Sequence, residues 1–513
     1  MSSLVECAHY VQGGWAIDSE ILTVYEIAYY AFLFFCFFLS LYLLRRILKK
    51  INFSSFKKKI LDIKFKTRKL NKKTLNLLLF ISFIFQNFFI FDYVRTKASR
   101  IISFVDEYIA LASNVSFFNN LDFNAGNFIG GSYSIFLTSG PISAVGSVLG
   151  WNLSSNFYIS RILNYYWVFA LQIMFCFLLS RYYKNNINFL LFTSPLLIFL
   201  IPWWQGALYS LGEVASTIIF TNAVFLINKN RRTALFLFGL SIFFGKILTA
   251  LLFLGFYIPI LFREKNIHKV IKDSFYFLIS GILWMILVGV FYKEGSVFDY
   301  INNQKDLILN HQSSGARVSG IFNFENMSNQ ILISEVSSWN IYEVLRVGLI
   351  PIFLVAIVFY YKDQINETFG YISYSIIFSI LLPYLWFWIL SPTKWMRYSQ
   401  HFTVFVLVTL LYFINFENSD SKIKILSTLF MFLFFLDNEK NLIFIGAIFF
   451  FVIIFFSEIQ YSKIYLKILL VLFLTIDIAT PYFEKNSFAS LDGIILECKE
   501  DLFSELCREK YLD

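Results

Sequence analysis

The stretch "RRTALFLFGLSIFFGKILTALLFLGFYIPILFREK", residues 231–265, is an apolar run with basic residues at both ends. A single membrane helix would carry its two flanks to opposite sides, whereas cationic links gather on the cytoplasmic side. Residues 233–262 therefore read as a hairpin of two short helices, broken around Gly245–Lys246, which returns both flanks to one side.

The rest of the chain has the same character. Of its 513 residues, 58% are hydrophobic, 15% are charged and 65 are Phe. A soluble protein of this size cannot bury that much apolar surface, so the composition points to a polytopic, all-α membrane protein. The opening "MSSLVECAHYVQGGWAIDSE" lacks a basic stretch and a small-residue cleavage site, and no removable signal peptide is expected. The formal net charge of +9 is explained by topology and not by a nucleic-acid partner. Much of it lies in "RRILKKINFSSFKKKILDIKFKTRKLNKK" (45–73), with 13 Lys/Arg against one Asp. That segment belongs in the cytoplasm, beside anionic headgroups.

From this fixed point the chain divides into about 13–14 membrane helices or half-helices. Helices near 22–44 and 75–93 deliver a first long outer loop, 94–158. The basic links "RYYKNN" (181–186), "NKNRR" (228–232) and "REKNIHKVIKD" (263–273) all fall inside if 188–202 and 211–227 pair as a hairpin. A helix near 274–292 leads to a second outer loop, 293–343. Helices near 344–361 and 369–390 then place "SPTKWMRYSQ" (391–400) outside. Four more, near 401–415, 424–437, 442–457 and 464–480, leave the tail outside as well. Cys36 and Cys176 fall in membrane helices as small apolar fillers. Cys7, Cys498 and Cys507 fall outside, where oxidation can occur and Cys498 and Cys507 are spaced to close a short disulfide loop.

In "RIISFVDEYIALASN" (100–114), two adjacent acids, Asp106 and Glu107, follow an apolar run. The segment "ASRIISFVDEYIAL" reads as an amphipathic interfacial helix with Ile101, Ile102, Val105 and Ile109 along one side. Alone, such a pair is most simply a solvated helix face, but three neighbours argue for more. Arg95, Lys97 and Arg100 are cations placed against the topological tendency, as an anionic, phosphate-bearing ligand would require. The loop continues "LDFNAGNFIGGSYSIFLTSGPISAVGSVLGW", where Asp122, Asn124, Asn127, Thr138 and Ser139 offer hydrogen bonds suited to a polyol and glycines let backbone approach it. Finally, Glu213, Lys246, Arg397 and His401 stand in or beside apolar helices on the outer side. Each alone is a structural ion pair, Glu213 with Lys246 for instance, but together they suggest one outward-facing polar cavity.

This pattern resembles the GT-C superfamily of membrane glycosyltransferases, particularly its protein-mannosyltransferase-like and lipid-sugar-transferring branches. The likeness rests on "FVDEYIALA", on "LGEVASTIIFTNAVFLI" followed by "RRTALFLFGLSIFFGKILTALLF", and on "KWMRYSQHF", in that order. It covers roughly residues 75–415, preceded by an extra helix and basic link (1–74) and followed by C-terminal helices and a short extracytoplasmic tail (416–513). The late segment departs from the family in lacking a Pro-rich continuation.

The resemblance implies an inverting transfer of a sugar from a polyprenyl-phosphate donor to an acceptor hydroxyl on a glycan, lipid or protein. It casts Asp106, with Glu107 behind it, as the general base. Arg100, Lys246 and Arg397 would steady the departing phosphate, and Asp122, Asn124, Glu213 and His401 would complete the substrate site. The two acids, as sequence neighbours, diverge on a helix and do not suit a glycosidase pair. No cofactor is required. Asp106, Glu107 and Asp122 are compatible with one divalent cation but do not demand it. A lipid-linked oligosaccharide polymerase or ligase relying on Arg317, and a polar-lipid flippase or transporter, are the rival readings. With no retention or sorting signal evident, a bacterial inner membrane is the expected location, with the active site facing outward.

Overall fold

The computed structural model describes residues 94, 98, 105–121, 123, 135–183, 206–207, 210–292, 295–310, 341–391, 396–415 and 421–434. Regular structure among them is helical throughout, with a single isolated backbone bridge and no strand. In chain order the helices are α1 (Val105–Asn120), α2 (Val145–Ser154), α3 (Phe157–Ser180), α4 (Glu213–Leu226), α5 (Arg231–Phe243) and α6 (Thr249–Glu264). They continue with α7 (Ile267–Phe291), α8 (Val297–Asn310), α9 (Ile350–Tyr360), α10 (Lys362–Phe369), α11 (Ser373–Leu385), α12 (Met396–Asn415) and α13 (Ser421–Phe434). Two 3-10 turns, Ile135–Leu137 and Pro141–Ala144, precede α2. Single π-helical turns, Leu345–Leu349 and Trp386–Leu390, adjoin α9 and α11.

Among the described residues three helices are long and apolar enough to cross a membrane: Phe157–Leu179, Ile267–Phe291 and Ser373–Leu390. Leu345–Tyr360 and Lys362–Phe369 pass the same test only when taken together, with a bend of 81° between them. The expected helices near 22–44, 75–93, 188–202, 442–457 and 464–480, and Cys7, Cys36, Cys498 and Cys507, lie outside the described residues.

At the centre stands α4, all of whose side chains are buried, packed by α3, α5, α6 and α12. A helix apolar around its circumference is a core helix. By contrast α7 keeps a row of exposed apolar side chains, Ile271, Phe275, Leu278, Ile282, Ile286 and Val290. Their spacing of three and four residues makes one face, of the kind that lipid would cover. Helices α6 and α11 approach closely because Gly255 has no side chain; a Cβ there would lie 2.3 Å from the Phe378 carbonyl oxygen.

The 231–265 run folds as the hairpin expected, with α5 ending at Phe243 and α6 beginning at Thr249. Its basic flanks meet at one end of the bundle. The Arg231 guanidinium donates from Nε to both Asp273 oxygens, at 2.8 and 2.9 Å, and through Nη1 and Nη2 to Glu264 at 2.8 and 2.7 Å. Lys269 reaches Glu264 at 2.7 Å and the Tyr257 hydroxyl donates to Asp273 at 2.6 Å. The tip of the hairpin, Gly245–Lys246, faces the other end.

Helix α1 differs from the interfacial helix expected at 98–111. It continues to Asn120, and every side chain from Ala110 to Phe117 is buried. Small residues there, Ala110, Ala112, Ser113 and Ser116, let it pack against α2 and the 3-10 turns instead of lying on a surface. The stretch 293–343, expected as a loop, contains α8, tied down by two bonds. Tyr300 donates its hydroxyl to the Phe136 carbonyl at 2.8 Å, and Gln304 donates to the Leu137 carbonyl at 2.8 Å.

Candidate functional site

The hairpin tip is held by a short backbone ladder to the Gly/Ser-rich loop. Gly140 donates to the Gly245 carbonyl at 2.5 Å, Ile142 to Phe244 at 3.0 Å, and Ile247 to Thr138 at 3.0 Å. A Cβ on Gly140 would fall 2.3 Å from the Phe244 carbonyl carbon, so only glycine permits this approach. The ladder sets Ser139 opposite Lys246. The Lys246 ammonium donates to Ser139 Oγ at 2.5 Å, and Ser139 in turn donates to the Leu211 carbonyl at 3.3 Å.

Beside them the chain turns sharply into α4. Ser210 and Gly212 both take left-handed backbone conformations, φ 60° and 97°, and the residue after them is Glu213, in the first helical turn. The helix dipole favours a carboxylate at this position. The Glu213 side chain is fully buried and neither of its oxygens accepts a hydrogen bond. It lies 3.5 Å from Lys246 Nζ and 3.8 Å from Arg397 Nε. A buried carboxylate without hydrogen bonds is costly, roughly several kcal/mol, and stands only beside compensating charge; Lys246 and Arg397 supply it.

Helix α12 delivers the rest. Arg397 and His401 are one turn apart and share a face. His401 is buried with neither ring nitrogen hydrogen-bonded, and the charges acting on it are Lys246 and Arg397. Gln400, also buried, sits against Gly206 with its Oε1 accepting no bond. Behind the cluster, Asn164 accepts from the Ser147 amide at 3.3 Å and donates to the Ala207 carbonyl at 2.6 Å, while Ser147 and Ser210 share a hydroxyl hydrogen bond. No family model, curated protein or solved structure matches this chain.

Four of the residues expected at a polar site, Glu213, Lys246, Arg397 and His401, thus converge, and Ser139 joins them. Arg100, Asp122 and Asn124 lie outside the described residues. Asp106 stands in the first turn of α1, its side chain likewise outside them. Glu107 is placed differently from the others. Both its oxygens are taken by Arg161, Nε and Nη2 each donating at 2.6 Å, and Arg161 Nη1 donates to the Ala98 carbonyl at 2.8 Å. With side chains 2% and 3% exposed, this pair clamps α1 to α3. A fully engaged carboxylate suits anchoring better than proton transfer.

Sequence reading passes over Arg161 and Arg346, although a lone Arg within an apolar run is a visible signal. Arg346 is buried in a π-helical turn. Its neighbour Val347 joins Trp386, Phe387, Trp388 and Phe402 in the apolar cluster flanking the start of α12. Among the described residues no three His, Cys, Asp or Glu side chains gather as metal ligands do.

Proposed function

We propose that the chain is an inverting glycosyltransferase that moves a sugar from a polyprenyl-phosphate donor to an acceptor hydroxyl on the extracytoplasmic side of a membrane. What carries this reading is the gathering of Lys246 and Arg397 around a buried Glu213, beside an unbonded His401 and a glycine-tight loop. Two buried or half-buried cations at one point suit an anionic headgroup. The opposite end of the bundle carries the links 228–232 and 263–273, which the positive-inside tendency puts in the cytoplasm.

In the reaction, the acceptor hydroxyl gives its proton to the Asp106 carboxylate as its oxygen attacks the anomeric carbon. The bond from that carbon to the phosphate oxygen breaks on the opposite face, and its electron pair leaves with the phosphate. Lys246 and Arg397 stabilise the charge gathering there. His401 and Gln400 have hydrogen-bonding atoms to spare for sugar hydroxyls.

The test is transfer of label from tritiated polyprenyl-phosphate hexoses and pentoses by the full chain in liposomes. Asp106→Asn should lower transfer by about a hundredfold or more while protein level and donor binding persist. Retained transfer in that variant, with loss in Arg317→Ala, would replace this reading with a polymerase or ligase. Movement of labelled lipid across the bilayer without a covalent product would replace it with a transporter.

A further inference from the structure

We infer that Glu213 is a specificity-determining residue. It acts as a built-in counter-anion that trims the preference of the Lys246–Arg397 pair for a doubly charged phosphate monoester over a singly charged phosphodiester. The inference rests on the reading of this site as a lipid-phosphate site and adds a sense of direction to it. A polyprenyl-phosphate sugar is a diester with one negative charge. The polyprenyl phosphate it leaves behind is a monoester carrying close to two at neutral pH, as phosphate monoesters do. Two cations alone would hold that product more tightly than the substrate, and turnover would stall on it.

Glu213 reduces this bias by position, without reversing it, because the two cations stand nearer the phosphate. Its carboxylate is fully buried, accepts no hydrogen bond, and stands within 3.5 Å of one cation and 3.8 Å of the other. A phosphate touching both cations therefore sits a few ångströms beyond it, in surroundings that screen charge poorly. Repulsion from a fixed charge scales with the ligand's charge, so the monoester feels it about twice as strongly as the diester. The fold also fixes the carboxylate where this repulsion operates, since Glu213 follows the Ser210–Gly212 turn and stands in the first turn of its helix.

The experiment uses the full chain in nanodiscs and two probes of one short polyprenyl chain, its monophosphate and its methyl phosphodiester, with binding read by displacement of a tritiated monophosphate. Wild type should hold the monoester no more than severalfold tighter than the diester. Glu213→Gln, checked for folding by circular dichroism, should tighten the monoester about tenfold or more relative to the diester. Lys246→Met should weaken both. A wild-type protein that holds the monoester tenfold tighter than the diester overturns the inference, and needs no variant to do so. An affinity ratio unmoved by Glu213→Gln overturns it while leaving the lipid-phosphate reading intact. Binding of both probes indifferent to Lys246→Met and Arg397→Met overturns the reading and the inference together.

Discussion

Replacing Glu107 by Gln removes a charge from a pair that the fold has taken almost wholly out of solvent. Arg161 donates two hydrogen bonds of 2.6 Å to the Glu107 carboxylate and one of 2.8 Å to the Ala98 carbonyl. The side chains are 3% and 2% exposed. In the Gln variant one oxygen still accepts, but the amide NH2 faces a guanidinium N–H and the Arg loses the carboxylate charge opposite it. Removing one partner of such a pair costs about 3–5 kcal/mol, and the surviving acceptor places Glu107→Gln near the lower figure. Arg161→Met strips both carboxylate oxygens and also frees the Ala98 carbonyl, which adds about 1 kcal/mol. The double variant Glu107→Gln/Arg161→Met buries no charge and should be less destabilised than either single change, with a coupling of about 2–4 kcal/mol. Equilibrium unfolding of purified protein in mixed micelles measures all four corners of the cycle. Were Glu107→Gln to unfold like wild type while sugar transfer disappeared, the carboxylate would belong to the reaction and the clamp would be a misreading.

Other consequences can be checked singly. Gly140→Ala sets a Cβ 2.3 Å from backbone at Phe244 and should pry the loop from the hairpin tip, abolishing transfer and lowering the melting temperature; Gly348→Ala, whose Cβ would meet nothing nearer than 3.9 Å, should do neither. At the opposite end, burial alone would raise the Glu264 carboxyl, but hydrogen bonds from Arg231 and Lys269 outweigh it and hold the group below its ordinary 4.5. A depressed carboxyl adds stability above that value and loses it as pH falls through the lowered one, so melting temperature should drop on the acid side, and Arg231→Met should flatten that limb. Tyr412 donates to Asn222 and accepts from Gln172 at 3.3 Å, joining three helices. Tyr412→Phe should cost about 0.6–1.7 kcal/mol by the same unfolding assay, as interhelical hydrogen bonds in membranes do.

The parts of the fold legible in the sequence are those written as contrasts of charge against apolar surroundings. Basic flanks on 233–262 announce the hairpin and the Gly245–Lys246 break, and lone ionisable residues at 213, 246, 397 and 401 announce a shared polar site. Pairing is harder to read. Glu107 and Arg161 are 54 positions apart, and nothing local in "FVDEYIALA" tells a clamp from a base. The ladder from Thr138–Ile142 to Phe244–Ile247 is a backbone match that leaves no side-chain pattern, although the glycines at 140 and 245 hint at close approach. Helix α1 misleads because the stripe Ile101, Ile102, Val105 and Ile109 reads as an interfacial face, while the helix runs on through Ser113, Asn114 and Ser116. Buried among helices they are close-packing residues instead. The π-helical turns have no reliable sequence mark, so the burial of Arg346 in one of them is not legible even though the lone Arg is.

The shortness of the helices meeting at the hairpin tip has a mechanical consequence. Helices α5, α4 and α6, of 13, 14 and 16 residues, reach about 20–24 Å, whereas a bilayer's hydrocarbon slab is about 30 Å thick. Were their basic ends pinned at one membrane interface, their other ends would stop several ångströms short of the opposite one. The bilayer would then have to pucker, or water well downward, to meet Glu213. Thickening the surrounding lipid should then tax this protein more than one built of full-length spans, by stretching the dimple it has to maintain.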